Sequence, residues 1–442
     1  MQKAANINEL ANNLIPENFL KPEDKDVYVP IYDKVLNVLR NMVIEDQVES
    51  QAFFAAGQAG TGKTTALNFF TTDALKDYYH IKYINMRDYL DLSDVDIIDF
   101  LLTFAFALVE GTALEKDYYK KLEEIKQIHE EEFIKTEDSE SVKSTATGIN
   151  GEVAAGGGLF NLFKFSARYF ADLRMDTNYR ETTRKVFKLK KPSLYNLTNE
   201  IIAEYVEKIT GGKKLLVIID DLDKLKKVAQ INSIFIENRN YIFNLKCKKI
   251  ISIPMYLTKA PEIFNYSQYP IRQFIMRLSS NPFEKDNTVI DKDKKKIESS
   301  RQLLREVIKC RVKKDCSLIE DEALEKAIDF SGGIIRQLVR IIYVAAVGVR
   351  TLKGDKISLT DVTGAVGLLR NTLAGTIASS EKIKLLNTVL KKNIPVSEEK
   401  EDFIELLQAN NVLAYENGDP WYEINPIIRE TVKTYAAKQE EE

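Results

Sequence analysis

The chain has 442 residues, 44% hydrophobic and 29% charged, with a formal net charge of −3. That composition supports a sizeable globular core, and length alone sets an expectation of about three domains. The balanced charge excludes a chain-wide basic surface that grips nucleic acid non-specifically, while leaving room for a local patch. Cys247, Cys310 and Cys316, with His80 and His129, match no disulfide or zinc spacing, so reduced cysteines and no histidine-rich metal site are expected. Met1–Ala5 is not a basic region leading into an apolar core. No uncharged apolar run of about 18 residues occurs either; Ile97–Val109 comes nearest, but it is short and carries Asp99. A soluble, cytoplasmic protein with no membrane partner is expected.

In chain order, residues 1–50 read as a helical lead-in, with apolar side chains at helical spacing over Tyr32–Val43. Ala52–Ala56 is a buried strand running directly into a glycine loop, and Thr64–Leu75 a helix. Ile81–Met86 is a second strand, followed by helices over Val95–Val109 and Glu115–Ile134. Residues 136–190 form an insertion whose Thr145–Gly158 stretch is rich in Gly, Ala, Ser and Thr and whose Leu159–Phe165 stretch is aromatic. Pro192–Ile209 is helical, and Lys214–Asp221 is an apolar strand ending in two carboxylates. Ala229–Leu245 is helical, Lys249–Ile253 is another buried strand, and Ile271–Leu278 a fifth. Continuously apolar strands alternating with helices imply a parallel sheet covered on both faces. Asp293–Val312, Glu320–Phe330, Ile334–Val349 and Leu359–Leu373 then read as four helices. The chain closes with helices Glu381–Leu390 and Glu399–Leu407, a hairpin turning at Asn417-Gly418, and a helix Pro426–Tyr435, the order of a winged helix. The expected division is 1–50, a P-loop core at 51–285, a helical lid at 286–375 and a winged-helix domain at 376–442.

Three motifs carry chemistry. Gly57-Gln58-Ala59-Gly60-Thr61-Gly62-Lys63-Thr64 is G-x-x-x-x-G-K-T between a strand and a helix. Its glycines let backbone N–H groups converge on a phosphate at a helix N-terminus. Lys63 is placed for the β- and γ-phosphates, and Thr64 for Mg²⁺; Thr65 completes the set. A parallel strand delivers Asp220 and Asp221 to the same sheet edge, Asp220 to hold Mg²⁺ and Asp221 to orient or deprotonate the attacking water. Asp223 is read as capping the next helix. Ser331-Gly332-Gly333-Ile334-Ile335-Arg336 is a tight start to a helix with Arg336 in its first turn.

These residues resemble the AAA+ ATPases, in the branch shared by origin-recognition ATPases and STAND signalling ATPases. The resemblance runs from about Tyr28 to Tyr435, the insertion apart. It implies that Lys63 and Thr64 are the Walker A pair and that Asp220 and Asp221 are the Walker B pair. Ser252 falls at sensor 1 and Arg336 at sensor 2, on a lid that senses the γ-phosphate. It therefore implies a Mg²⁺-dependent ATP phosphohydrolase and a homo-oligomer. Asp221 replaces the glutamate of many AAA+ motors, which suggests a slow switch. The arginine finger has no unique match; Arg272, Arg277 and Arg311 are candidates, and Arg277 is chosen. The insertion looks like one in bacterial P-loop proteins of mobile-element and anti-phage loci.

From Glu381 to Tyr435 there are seven Lys/Arg and ten Asp/Glu, which disfavours phosphate contacts by the winged helix. The expected output is a nucleotide-dependent assembly switch acting on a protein effector in anti-phage defence. The alternative is a DNA-acting ATPase of the initiator or transposition-regulator type.

Overall fold

The computed structural model describes residues 1–442 apart from 72–74, 137–176, 226, 267–270, 274, 284–286, 378, 395–400, 418 and 442. The Gly/Ala stretch and the Leu159–Phe165 cluster lie outside the described residues.

Five strands form one sheet: β1 (Ala52–Gly57), β2 (Tyr79–Asn85), β3 (Lys214–Asp220), β4 (Lys248–Ile253) and β5 (Ile271–Gln273). Their order is β2-β3-β4-β1-β5, and every neighbouring pair is parallel. All strand C-termini therefore meet at one edge, where binding sites of open α/β sheets form. β4 lies between β1 and β3, with Ser252 opposite Ala55, while Asn85 pairs with Asp220.

The apolar strands are explained by what covers them. α1 (Ile7–Asn13) belongs to a later helical layer. α2 (Asp33–Glu45) and α3 (Lys63–Phe70) cover one sheet face, where Leu39, Leu67 and Phe70 meet Phe53, Ile218 and Ile250. α4 (Ile97–Val109) and α5 (Lys191–Lys208) cover the other, against Phe54, Ile219 and Ile251. The strand residues alternate between the two cores with period two. All side chains of α4 are buried, which accounts for an apolar run too short for a membrane span. No helix among the described residues is long and apolar enough to cross a membrane.

The four helices expected to form a lid, and called the lid from here on, are α6 (Asn287–Lys309), α7 (Asp321–Ser331), α8 (Ile335–Thr351) and α9 (Leu359–Ala374). Leu10 and Leu14, from the N-terminal segment, share its core with Leu304, Ile328 and Ile342. Ala4 also pairs with Val312 in a parallel bridge. The first residues thus pack with the lid. α10 (Ser380–Lys392), α11 (Glu401–Gln408), the antiparallel hairpin β6 (Val412–Asn417) and β7 (Asp419–Ile424), and α12 (Arg429–Glu441) complete the chain. Their Phe403, Val412 and Val432 continue the lid core.

Two elements depart from expectation. The fifth strand stops at Gln273 because β1 offers only Ala55–Gly57 as partners before the loop turns away. Ile275 instead packs with Ile334, Leu413 and Trp421, and Met276 N–H donates to Gly333 O at 3.3 Å. The helix expected at Ala229–Leu245 is broken into Val228–Asn232, a wide turn over Ser233–Glu237, and Arg239–Phe243. Asn238 Nδ2 donates to Ser233 O at 2.8 Å and ends that middle turn.

Candidate functional site

Gly57 ends β1, and Gln58, Ala59, Gly60, Thr61 and Gly62 form the loop before α3. Gly60 and Gly62 have φ of 86° and 99°, a region that strains residues bearing a Cβ. A Cβ on Gly60 would also lie 2.9 Å from side-chain atoms of Ile334 and Arg336, so the loop needs glycine there for the lid to approach.

Lys63 starts α3 and folds back under the loop, only 5% exposed. Its Nζ donates to Gly57 O at 2.7 Å and Gln58 O at 3.0 Å, and ion-pairs with Asp223 Oδ2 at 2.9 Å. Thr61 Oγ1 donates to Gln58 O at 3.0 Å. The Thr64 and Thr65 side chains are partly buried at the start of α3.

Asp220 ends β3, fully buried, and Asp221 follows at φ 72°, a left-handed conformation uncommon outside glycine. Tyr83 on β2 donates its hydroxyl to Asp220 Oδ2 at 2.6 Å. Asp221 ion-pairs with Lys224. Carboxylate oxygens of Asp220, Asp221 and Asp223 lie within 4.8 Å of one another. Burial raises the Asp221 pKa, the neighbouring Asp220 adds to the rise, and Lys224 opposes it. Burial, with Asp220 alongside, likewise pushes the Tyr83 phenol up. Asp220 Oδ1, Asp223 Oδ1 and Ser252 Oγ are buried with no hydrogen-bond partner among the described residues. Buried oxygens left unsatisfied are costly. A divalent cation with its water shell supplies the charge and donors that the carboxylate oxygens lack, and the Ser252 hydroxyl can donate to a phosphate oxygen, so the residues fit both groups.

Arg336 enters from the lid in the first turn of α8, and its N–H donates to Gly60 O at 3.0 Å. Its guanidinium is accessible from a cleft yet surrounded by protein: desolvation lowers its pKa, Arg340 adds to this, and Asp221 and Asp223 oppose it. The cleft is about 1070 Å³ and is lined in part by Gly57, Gln58, Asp223, Lys224, Arg87 and Arg336. A smaller cavity of about 110 Å³ touches the other side of the loop, with Tyr28, Tyr32, Gly62, Thr65, Arg311 and Ile335 in its walls. The Tyr28 ring stacks on Phe69 of α3 at 3.8 Å.

The structure thus brings Lys63, Asp220, Asp221 and Arg336 together and sets Ser252 on the strand between the loop and the carboxylates. It does not bring Arg277 to them. Arg277 is buried, ion-paired with Asp293 and 4.7 Å over the Trp421 ring, and lines neither cavity. Asp223 is not the helix cap expected from the sequence but the partner of Lys63; a third carboxylate two residues past the pair was the available signal. Tyr83 left no signal, because its contact requires β2 to lie beside β3.

A glycine loop at the C-terminal edge of a parallel sheet, a buried lysine beneath it and a carboxylate cluster two strands away define a P-loop nucleotide-binding fold. The model of the KAP family P-loop domain matches residues 28–256, just over half of the chain, and the chain belongs to that family. It is a P-loop NTPase, as the phosphate loop and the resemblance drawn from it implied. No curated protein matches the sequence. Among solved structures, the Aeropyrum pernix ORC2 protein in ADPNP–ADP complexes is similar at 11% identity, over 97% of this chain and 98% of that one, with a TM-score of 0.43. A Walker-type ATPase of Pyrococcus abyssi is similar at 11% identity, over 95% and 99%, with a TM-score of 0.44.

Proposed function

We propose that this chain binds ATP with Mg²⁺, hydrolyses it slowly, and uses the nucleotide state to control its own assembly and a protein effector. The observation that carries the reading is the Lys63–Asp223 ion pair, which sets the loop ammonium against the carboxylate cluster. The backbone of Gly57–Gly62 and the start of α3 bind the phosphates, and Lys63 draws the charge of the β- and γ-phosphates. Thr64 and Asp220 would hold Mg²⁺, and the Tyr83 hydroxyl fixes the Asp220 rotamer. Bound there, Mg²⁺ would supply positive charge that offsets the charge of the phosphates. Asp221 orients the attacking water and takes its proton, and its raised pKa suits a base. Ser252 and Arg336 read the γ-phosphate from the sheet and the lid. Arg277 holds the lid segment against the hairpin, and its burial and ion pair with Asp293 weigh against its reaching a neighbouring subunit as a finger.

The helix–helix–hairpin–helix order supports reading residues 376–442 as a winged helix. Its excess of acidic over basic residues supports a protein target over DNA. The likeness of the insertion to those of anti-phage loci supports a role in bacterial defence in the cytoplasm.

The test measures nucleotide binding and turnover separately. Asp221→Asn should keep ATP binding and lose roughly 10²- to 10⁴-fold of kcat, while Lys63→Ala should weaken binding itself. Retained turnover in Asp221→Asn removes Asp221 from its role. Sizing with ATP, with ADP and with duplex DNA should show ATP-dependent oligomers without DNA. A strong rise in turnover on adding duplex supports the DNA-acting reading instead.

A further inference from the structure

The phosphate loop is tied on its outer side to the C-terminal part of the chain. Gln58 is 5% exposed and turns its amide away from the loop. Nε2 donates to the carbonyls of Leu407 and Val412, each at 2.9 Å, and Oε1 accepts from Ala414 N–H at 2.8 Å. Val412 and Ala414 are alternate residues of β6, so the amide pairs with the β6 edge that faces away from β7, much as another peptide group would. The next loop residue is also held: Asn410 Nδ2 donates to Ala59 O at 2.9 Å. The one after that, Gly60, accepts from the Arg336 N–H. Beyond the carboxylates, Gln408 Nε2 donates to Leu225 O at 3.0 Å. Residues from β6, from the α11–β6 turn and from the lid therefore grip three consecutive loop residues.

The grip is coupled to the chemistry. The Gln58 main-chain carbonyl accepts both Lys63 Nζ and Thr61 Oγ1, each at 3.0 Å. One residue thus carries the β6 contact on its side chain and the loop ammonium on its backbone. A triphosphate in the loop competes for that ammonium and for the orientation of the loop peptides. A buried amide with three partners does not yield gradually; it is held or released, because packed interfaces switch between discrete arrangements.

We infer that the Gln58 amide is a latch between the phosphate loop and the C-terminal unit: nucleotide binding loosens β6 from the loop, and a latched β6 opposes nucleotide binding. This rests on the proposed nucleotide site and assigns its regulation. The coupling is reciprocal, so cutting the latch tightens nucleotide binding by the factor with which nucleotide releases it, typically about 5- to 150-fold.

The test cuts the latch from the C-terminal side and leaves the loop intact. Ala414→Pro removes the donor to Gln58 Oε1; that N–H points away from β7, so the hairpin ladder is kept. Asn410→Gly removes the bond to Ala59 O and tolerates the φ of 58° at that position. It gives an independent comparison should the proline variant not fold. Hydrogen exchange of β6 in the full chain, with and without MgATP, is measured beside the affinity for a fluorescent ATP analogue. MgATP should speed exchange at the Ala414 amide in the wild type, and both variants should bind the analogue more tightly. Unchanged affinity in the variants, or β6 exchange unaffected by bound MgATP, overturns the latch and leaves the nucleotide site standing. A wild type and variants that bind no nucleotide overturn both, and the wild-type titration tells the two failures apart.

Discussion

Lys63 has two main-chain carbonyls and one carboxylate around its ammonium, and its side chain is almost closed to water. A lysine that merely opened a helix would extend into solvent; this one folds back under the loop, as the proposed phosphate site requires. Asp221 is the residue whose titration is most informative. Burial and Asp220 raise its pKa while Lys224 lowers it. A base works only when ionised, so turnover should fall on the acid side, at a higher pH than an unperturbed aspartate would give. Lys224→Met removes the opposing charge and should move that acid limb to higher pH, as read from a steady-state kcat/KM profile; an unmoved limb means another group is titrating. At this scale Lys63, Asp220 and Asp221 were legible from spacing alone. Asp223 was visible but misread, because a carboxylate after a strand also suits a helix cap, and only the folded loop decides which partner it meets.

The strand β4 shows how an element accommodates charge. Lys249 is its second residue, fully buried, and its Nζ donates to Ser50 O, Phe243 O and Leu245 O at 2.8–2.9 Å. Burial lowers its pKa from 10.5 to about 8. Below about pH 8 both folded and unfolded chains hold the proton. Between there and 10.5 the unfolded chain binds more protons, so the contribution of this group to stability rises with pH. Denaturation of wild type and Lys249→Met from pH 7 to 10 should show wild type gaining of the order of 2–3 kcal/mol on the variant; a flat difference refutes the assignment. The turn before α8 is a second case. Gly333 has φ of 87°, and a Cβ there would lie 1.8 Å from Met276 O. Gly333→Ala should cost about 2–5 kcal/mol from positive-φ strain plus overpacking, measured by chemical denaturation. The Gly-Gly pair was readable as a helix start, but that it also admits the chain after β5 was not, since Met276 is distant in sequence. Likewise the fifth strand was overlong in the sequence reading because apolar residues serve a lid interface as well as a sheet.

For the whole molecule, the acidic C-terminal unit and the net charge of −3 predict duplex binding no tighter than the non-specific range, roughly 10⁻⁴–10⁻⁶ M at physiological salt. Fluorescence anisotropy over a salt series checks this, and tight binding at physiological salt would reverse the preference for a protein target. The sequence by itself determined the phosphate loop, the carboxylate strand, the alternation of strands and helices, and the order of the C-terminal elements. Each of these is local, written in glycine placement, apolar period and turn chemistry within a few residues. Only the tertiary structure decided that Asp223 meets Lys63, that Tyr83 meets Asp220, that the N-terminal helix joins the lid, and that Gln58 joins β6. Such contacts join residues far apart in the chain, Gln58 and Ala414 among them. Their side chains carry no periodic signal, and burial gives them a partner only once the strand order and the docking of the C-terminal unit are set.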